Sequence, residues 1–206
     1  MQTVFPAFDA AYWQARYTTS GRDSWDARRA TPPLRAYFDQ LVVNQQPRIL
    51  IPGAGRAYEA EYLHHLGFRH VIVADFAPEP LAALAARVPD FPKENLWQAD
   101  FFALDPADKF DLIIEQTFFC ALNPTLRPAY ARQCAALLRP GGKLAGLLFD
   151  TDFPNAAEPP FGGSRAEYTA YFEPYFEFIH FETAYNSLPA RAGRELFICL
   201  RKMWQM

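Results

Sequence analysis

Short apolar runs alternate with stretches of helical periodicity through the middle of the chain. The runs have β character, and most are followed within a few residues by apolar positions at helical spacing. This alternation predicts a parallel sheet with helices on both faces. The predicted strands are RILIPGAG (48–55), HVIVADF (70–76), LWQADFF (96–102), FDLIIEQ (110–116) and KLAGLLFD (143–150), and the predicted helices are 57–65, 80–88 and 127–138.

The C-terminal part of the chain follows a different pattern. A helix is predicted at 164–171, and strands are predicted at 176–184 and 195–202. The connection between these strands contains Gly and Pro and lacks a helical period, so an antiparallel hairpin is expected at the edge of the sheet. The predicted fold class is α/β: a doubly wound, Rossmann-like sheet of seven strands, five of them parallel and the last two a C-terminal antiparallel hairpin.

The residues before the first strand are rich in aromatic side chains and mixed in charge. Two helices are predicted there, at 8–17 and 33–43, the second with prolines at its start. We expect residues 1–46 to form a helical lid or cap and residues 47–206 to form the core, within a single domain. Gly21 is a candidate hinge, because segments of this kind often close over a reaction site.

The chain has 206 residues, a net charge of −3, and three cysteines that lie far apart in the sequence. It has no block of Lys or Arg, which argues against a nucleic-acid partner, and no run of about 18 apolar residues that would predict a membrane helix. Dispersed cysteines in odd number fit a reducing compartment, and no secretory signal is visible. We expect a cytoplasmic protein with a small-molecule acceptor, a monomer rather than an oligomer. The four histidines show no metal-ligand spacing, so no metal site is predicted.

The loop after the first predicted strand reads Pro-Gly-Ala-Gly. Gly53 and Gly55 allow positive φ angles, and they let the backbone on either side of Ala54 approach a ligand closely. A dinucleotide fingerprint needs a third glycine against the pyrophosphate, and Tyr58 stands at that position. S-adenosylmethionine carries no phosphate and needs no such cradle. The loop therefore favours S-adenosylmethionine, with an NAD(P)-dependent oxidoreductase as the alternative.

Acidic residues end three other predicted strands, and ligands of such sheets bind outside the carboxyl ends of the strands. Asp75, followed by Phe76, is expected to accept hydrogen bonds from ribose hydroxyls. Asp100 is expected to accept from the adenine amine while Phe101 flanks the ring. Glu115 is expected to face the methionine end of the cofactor. A helix-capping role for Asp75 and a plain loop role for Asp100 are the alternatives.

The segment EQTFFCALNP, residues 115–124, combines an acid, two aromatic residues and a cysteine. A cysteine nucleophile needs a base and an orienting partner, and no histidine lies nearby in the sequence. Cys120 is therefore predicted to be a buried filler, and Phe118 and Phe119 are predicted to line the acceptor pocket. Tyr17, Arg127 and Arg191 are the candidate catalytic residues, because a phenol or a cation can hold an anionic acceptor or lower the pKa of a thiol. A solvated surface position is the alternative for each arginine.

Several longer stretches share one pattern with a known family. They are YWQARYTTSGRDSWDARRATPPL (12–34), ILIPGAGRAYE, VADFAPEPL, QADFFAL, FDLIIEQTFFCALNPTLRPAYA, LLRPGGKL and EPPFGGSRAEY. On these stretches the chain resembles the thiopurine S-methyltransferase family, in particular its thiol and halide methyltransferase branch, over nearly its whole length.

The resemblance implies S-adenosylmethionine as donor, S-adenosylhomocysteine as product, and a thiol, sulfide, thiocyanate, halide or selenium compound as acceptor. It also suggests that Trp13 and Trp25 line or cover the cofactor site. The chain departs from the family pattern at Ala54, where Cys is common, and at Glu115, where Asp is common. A class I methyltransferase acting on O, N or C of a small molecule is the alternative for the acceptor.

Overall fold

A computed structural model describes residues 8–19, 25–154 and 157–204. The candidate hinge Gly21 lies outside the described residues. The strands are β1 (Ile49–Pro52), β2 (Val71–Asp75), β3 (Leu96–Gln98), β4 (Phe110–Gln116), β5 (Leu138–Phe149), β6 (Phe176–Thr183) and β7 (Glu195–Lys202). The helices are α1 (Ala10–Thr18), α2 (Pro32–Phe38), α3 (Tyr58–His65), α4 (Pro78–Arg87), α5 (Arg127–Leu137) and α6 (Arg165–Phe172).

The seven strands form one sheet in the order β3-β2-β1-β4-β5-β7-β6. Strands β1 to β5 are parallel, whereas β7 runs antiparallel to both β5 and β6. The strand order reverses between β1 and β4, and a ligand site is expected outside the carboxyl ends at that point. Among the described residues, no helix is long and apolar enough to cross a bilayer.

Two hydrophobic clusters cover the two faces of the sheet. One packs α5 and α6 against Leu50, Ile113 and Leu144, and the other packs α2, α3 and α4 against Ile49, Val73 and Ile114. The residues of β1 and β2 are all buried, as expected for central parallel strands. Helix α2 lies within the predicted cap segment, yet its Leu34 and Phe38 are fully buried in the second cluster.

Several element boundaries differ from those predicted. Helix α2 ends at Phe38, before the predicted end at 43. Strand β3 ends at Gln98, because the Asp100 carboxylate accepts from Phe102 N and starts a 3₁₀ turn. Strand β5 already begins at Leu138, and the ladder continues through the Pro-Gly-Gly segment by a register shift opposite β4.

Candidate active site

One cavity of about 390 Å³ lies at the carboxyl ends of the central strands. Its size is ordinary for a small-molecule site. It lies between the sheet edge on one side and α1 with the segment around Pro159 and Pro160 on the other. It brings together most of the predicted site residues: Trp13, Tyr17, Trp25, Gly53, Gly55, Asp75, Phe76, Asp100, Phe101 and Phe118.

The glycine loop approaches the cavity because its backbone adopts left-handed angles. Gly53 and Gly55 have φ values of 53° and 55°. A Cβ added to Gly53 would lie 2.1 Å from the Phe118 ring, and one added to Gly55 would lie 3.3 Å from the Trp25 ring. Both positions therefore need glycine. Ala54 lines a smaller adjoining cavity of about 30 Å³ instead of the main one.

Asp75 ends β2 at the base of the cavity and is only 5% exposed. Its Oδ1 accepts a hydrogen bond from Ala77 N at 2.9 Å. Burial raises the pKa of this carboxyl to about 6, although backbone N–H groups of Ala77 and Gly55 oppose the rise. The group is therefore mostly ionised at neutral pH, and a buried carboxylate is a strong acceptor for ligand hydroxyls.

Asp100 and Phe101 form the neighbouring part of the wall. The Asp100 Oδ1 accepts from Phe102 N at 2.9 Å, and the residue is otherwise exposed. Phe101 is buried, and its ring meets that of Phe118 edge to face at a centroid distance of 5.5 Å. A flat ligand ring entering here would find an acceptor beside apolar aromatic edges.

Glu115 lies behind the wall, contrary to the position predicted for it. Its side chain is fully buried, and its Oε1 accepts from Phe118 N and Phe119 N at 2.8 and 2.9 Å. Its Oε2 accepts from the Tyr130 hydroxyl at 2.6 Å. The chain reverses at Thr117, which has a φ of 60°, so these N–H groups point back at the carboxyl. Glu115 thus shapes the turn that carries Phe118.

The two phenylalanines of this turn point in different directions. Phe118 lines the cavity, whereas Phe119 is 1% exposed and packs edge to face against Tyr130 and Tyr168. Phe119 therefore supports the wall from behind. The predicted acceptor pocket keeps Phe118 only, because consecutive residues of a tight turn face opposite sides.

Cys120 is one of the residues that line the cavity, and its thiol donates to Thr117 O at 3.3 Å. Burial, and to a lesser extent the charge of Glu115, raises the pKa of this thiol to about 12. The thiol therefore stays protonated at neutral pH and is a poor nucleophile. This state agrees with the interpretation of Cys120 as a filler.

The candidate arginines are buried outside the cavity. Arg127 donates to Glu167 Oε1 at 3.2 Å and to Phe161 O at 3.1 Å. Arg191 donates to Glu195 Oε1 at 3.2 Å and to Trp25 O at 2.6 Å. Each guanidinium is held by a carboxylate and a backbone carbonyl. Both arginines therefore support residues of the cavity walls and do not line the cavity themselves.

Tyr17, the third candidate, does line the cavity. Its ring meets the Trp25 ring edge to face at 5.7 Å, and the Arg56 guanidinium lies 5.4 Å from the Tyr17 ring centroid. The Trp25 Nε1 is buried, and no described residue accepts its hydrogen bond.

Sequence reasoning missed several lining residues. Arg16 lies three positions after Trp13 and one before Tyr17, so helical spacing around the two aromatics was the available signal. Pro159 and Pro160 join the wall because the Phe161 N donates to Cys120 O at 2.7 Å, a contact that no local pattern announces. The other missed residues include Phe8, Leu122 and Leu126.

The profile of the thiopurine S-methyltransferase family matches residues 8–204. The chain belongs to the thiopurine S-methyltransferase family. It is 32% identical to "Probable thiol methyltransferase 2" of Arabidopsis thaliana over 187 residues, covering 89% of this chain and 79% of the relative. It is 30% identical to "Thiocyanate methyltransferase 1" of the same plant, covering 83% of this chain and 76% of the relative.

Solved structures agree on the fold. The 1,6-didemethyltoxoflavin-N1-methyltransferase of Burkholderia thailandensis, solved with S-adenosylhomocysteine, covers 99% of this chain and 93% of its own, with a TM-score of 0.73 and 21% identity. The predicted fold class and family are therefore confirmed. An S-adenosylmethionine-dependent methyltransferase acting on a soft nucleophile is likewise confirmed by family membership, which excludes the oxidoreductase alternative.

Proposed function

We propose that the protein transfers the methyl group of S-adenosylmethionine to a small acceptor of the thiol or thiocyanate class inside this cavity. One observation carries the proposal. The cavity is lined both by polar groups, in Asp75, Asp100 and the glycine loop, and by apolar side chains, among them Leu122 and Phe118, whose ring lies over Gly53. The polar groups suit a nucleoside donor, and the apolar side chains suit a small soft acceptor. Relatives named thiol and thiocyanate methyltransferases point to the same acceptors.

The polar part has the groups that an adenosyl cofactor needs. Asp75 would accept from the ribose hydroxyls, Asp100 and Phe101 would hold the adenine, and Gly53 and Gly55 would let the backbone approach the remainder. When bound, the cofactor supplies a methyl group on a positively charged sulfur, which leaves as a neutral thioether with the bonding electron pair.

The aromatic walls align the acceptor and keep water out of the cavity. The faces of Trp13 and Trp25 favour a positive charge through cation–π attraction. The neutral thiol of Cys120 does not compete for the methyl group at neutral pH. A dedicated base is not required for an acceptor that is already anionic, and Tyr17, whose hydroxyl lies beside the glycine loop, is assigned to the donor end of the cavity.

Labelled S-adenosylmethionine and a panel of acceptors test this function. Thiols, sulfide, thiocyanate and iodide should accept label, whereas phenols, amines and activated carbon acids of similar size should accept little. S-adenosylhomocysteine affinity, measured by calorimetry in the same preparation, reports whether the donor site is intact. Donor binding without turnover on any sulfur or halide acceptor would contradict the proposal, and faster transfer to oxygen or nitrogen would favour the alternative acceptor class.

The protein is further proposed to act in the cytoplasm as a monomer. Its cysteines, Cys120, Cys134 and Cys199, are free and buried, which is the usual state in a reducing compartment. Light scattering at micromolar concentration tests the monomer, and a dimer mass would contradict it.

A further inference from the structure

The charged side chains that line the cavity are few. Within the described part of the chain they are Asp75, Asp100 and Arg16. The two aspartates occupy the part of the cavity assigned to the donor. Arg127 and Arg191, the cations expected from the sequence, are held by Glu167 and Glu195 outside the cavity. Among the described residues, the arginine that lines the cavity is therefore Arg16, on helix α1.

The Arg16 guanidinium is directed back along α1 towards its N-terminus. Its Nη1 donates to the Tyr12 hydroxyl at 3.0 Å, and its Cζ lies 5.9 Å from the centroids of the Tyr12 and Trp13 rings. The Phe8 ring packs against Tyr12 on one side and Phe161 on the other, at 5.0 and 5.7 Å. Arg16 is thus directed towards the end of α1 that lies beside Phe161, which follows the lining residues Pro159 and Pro160 in the chain.

The Tyr17 side chain, on the same helix, points in the opposite direction to that of Arg16. Its hydroxyl lies 3.7 Å from the position of a Cβ on Gly55, at the glycine loop of the donor site. Helix α1 therefore spans the cavity, with Tyr17 over the donor loop and Arg16 turned towards the proline-rich end. The two residues are adjacent in sequence but serve different ends of the cavity.

We propose that Arg16 is a specificity-determining residue that binds the negative charge of an anionic acceptor, such as thiocyanate, hydrosulfide or a thiolate. This inference rests on the proposed function and names the charge state of its acceptor. An anion that leaves water for an apolar cavity needs a paired cation. The guanidinium supplies several donors in a fixed plane and forms charge-assisted hydrogen bonds. It also favours the thiolate form of a thiol acceptor by lowering its pKa.

Steady-state kinetics with R16Q and R16K test the proposal. R16Q should raise the KM for thiocyanate by about tenfold or more, since a hydrogen bond to a charged group is lost. R16K should recover part of this loss, and S-adenosylhomocysteine affinity should stay within about twofold. R35Q is the matched control, because Arg35 is an exposed helical arginine stacked 4.9 Å over the Tyr62 ring, away from the cavity. It should match the parent protein.

Iodide quenching of tryptophan fluorescence gives a readout that needs no turnover. Iodide is an anion that would bind at Arg16 beside Trp13, whereas acrylamide is a neutral quencher. The measurement uses a W204F background saturated with S-adenosylhomocysteine, because Trp204 is 75% exposed and would dominate the signal. R16Q should lower iodide quenching by about twofold without changing acrylamide quenching.

The outcomes separate the two proposals. A weakened S-adenosylhomocysteine affinity with an unchanged thiocyanate KM would overturn the assignment and place Arg16 at the donor. Unchanged KM together with unchanged iodide quenching would also overturn it. If the parent protein methylates none of the acceptors, the proposed function fails, and iodide quenching alone then decides whether Arg16 binds an anion at this site.

Discussion

The two walls of the cavity are held in different ways. The sheet-edge wall, formed by the glycine loop, Asp75 and the turn after β4, is held by the sheet. Its Gly53 N donates to Ala74 O at 2.8 Å, and Glu115 secures the turn from behind. The covering wall consists of α1, Trp25 and residues 159–161. Helix α1 has no buried residue, and its Gln14 side chain accepts a hydrogen bond from Glu79 N at the start of α4.

Because of this difference, we assign donor binding to the sheet-edge wall and access to the cavity to the covering wall. The sheet-edge wall cannot move without breaking strand ladders and the buried contacts of Glu115, so it presents a preformed surface to the donor. Within the covering wall, Phe161 is buried, but α1 has no buried residue, and segments of this kind open at a low free-energy cost. The comparison predicts that changes to the sheet-edge wall cost folding or donor affinity, while changes to the covering wall alter local opening.

The largest effect is expected from E115A. The substitution leaves the N–H groups of Phe118 and Phe119 and the Tyr130 hydroxyl buried without an acceptor. Unsatisfied buried groups cost about 1–3 kcal/mol each, so the free energy of unfolding should fall by roughly 3 kcal/mol or more. Urea denaturation measures this loss. A change below about 1 kcal/mol would show that Glu115 does not hold the turn.

E115Q is the matched control, because it retains a carbonyl acceptor for the two backbone N–H groups. It also removes the ionisable group at this position. Burial raises the pKa of the Glu115 carboxyl to about 7. A carboxyl whose pKa is higher in the folded state stabilises at low pH, and that stability is lost as the pH rises from about 4.5 to 7. For Glu115 the loss is on the order of 3 kcal/mol. E115Q should reduce this pH dependence, while Glu59 and Asp75 maintain part of it.

D75N should have the next largest effect, and this effect should be confined to the binding affinity for the donor. The amide keeps the shape of the carboxylate but replaces one acceptor oxygen by a donor. S-adenosylhomocysteine affinity should fall by about 1–3 kcal/mol, measured by calorimetry. D100N serves as the comparison, since Asp100 is exposed and should lose less. Equal affinities of D75N and the parent protein would show that Asp75 is not the ribose partner.

The sheet-edge wall was largely predictable, because the doubly wound fold places every parallel strand end at one edge. That rule brought Gly53, Asp75 and Asp100 together before any contact was known. It did not reveal that Glu115 points inward, since strand position alone does not fix where a side chain turns once Thr117 reverses the chain. For the covering wall, the sequence predicted a lid or cap segment but not the contacts that hold it. Its contacts join residues distant in sequence, such as Phe161 and Cys120, and Arg16 was overlooked between two recognised aromatics.

The smallest effect is expected from Q14A, which alters how α1 is attached. The Gln14 Oε1 accepts from Glu79 N at 3.2 Å, at the start of α4. Both residues are half-buried. Water can therefore replace part of this bond, and the free energy of unfolding should change by less than about 1 kcal/mol. Amide hydrogen exchange within α1 should nevertheless become a few times faster, because a local opening no longer breaks this contact.

Q40A is the control for this prediction, since Gln40 is exposed and its Nε2 donates to Ala36 O within its own segment. Saturating S-adenosylhomocysteine should slow the exchange of both variants if it binds the closed form better. Unchanged exchange in Q14A would show that the covering wall is held as firmly as the sheet edge, and the distinction between the two walls would then fail.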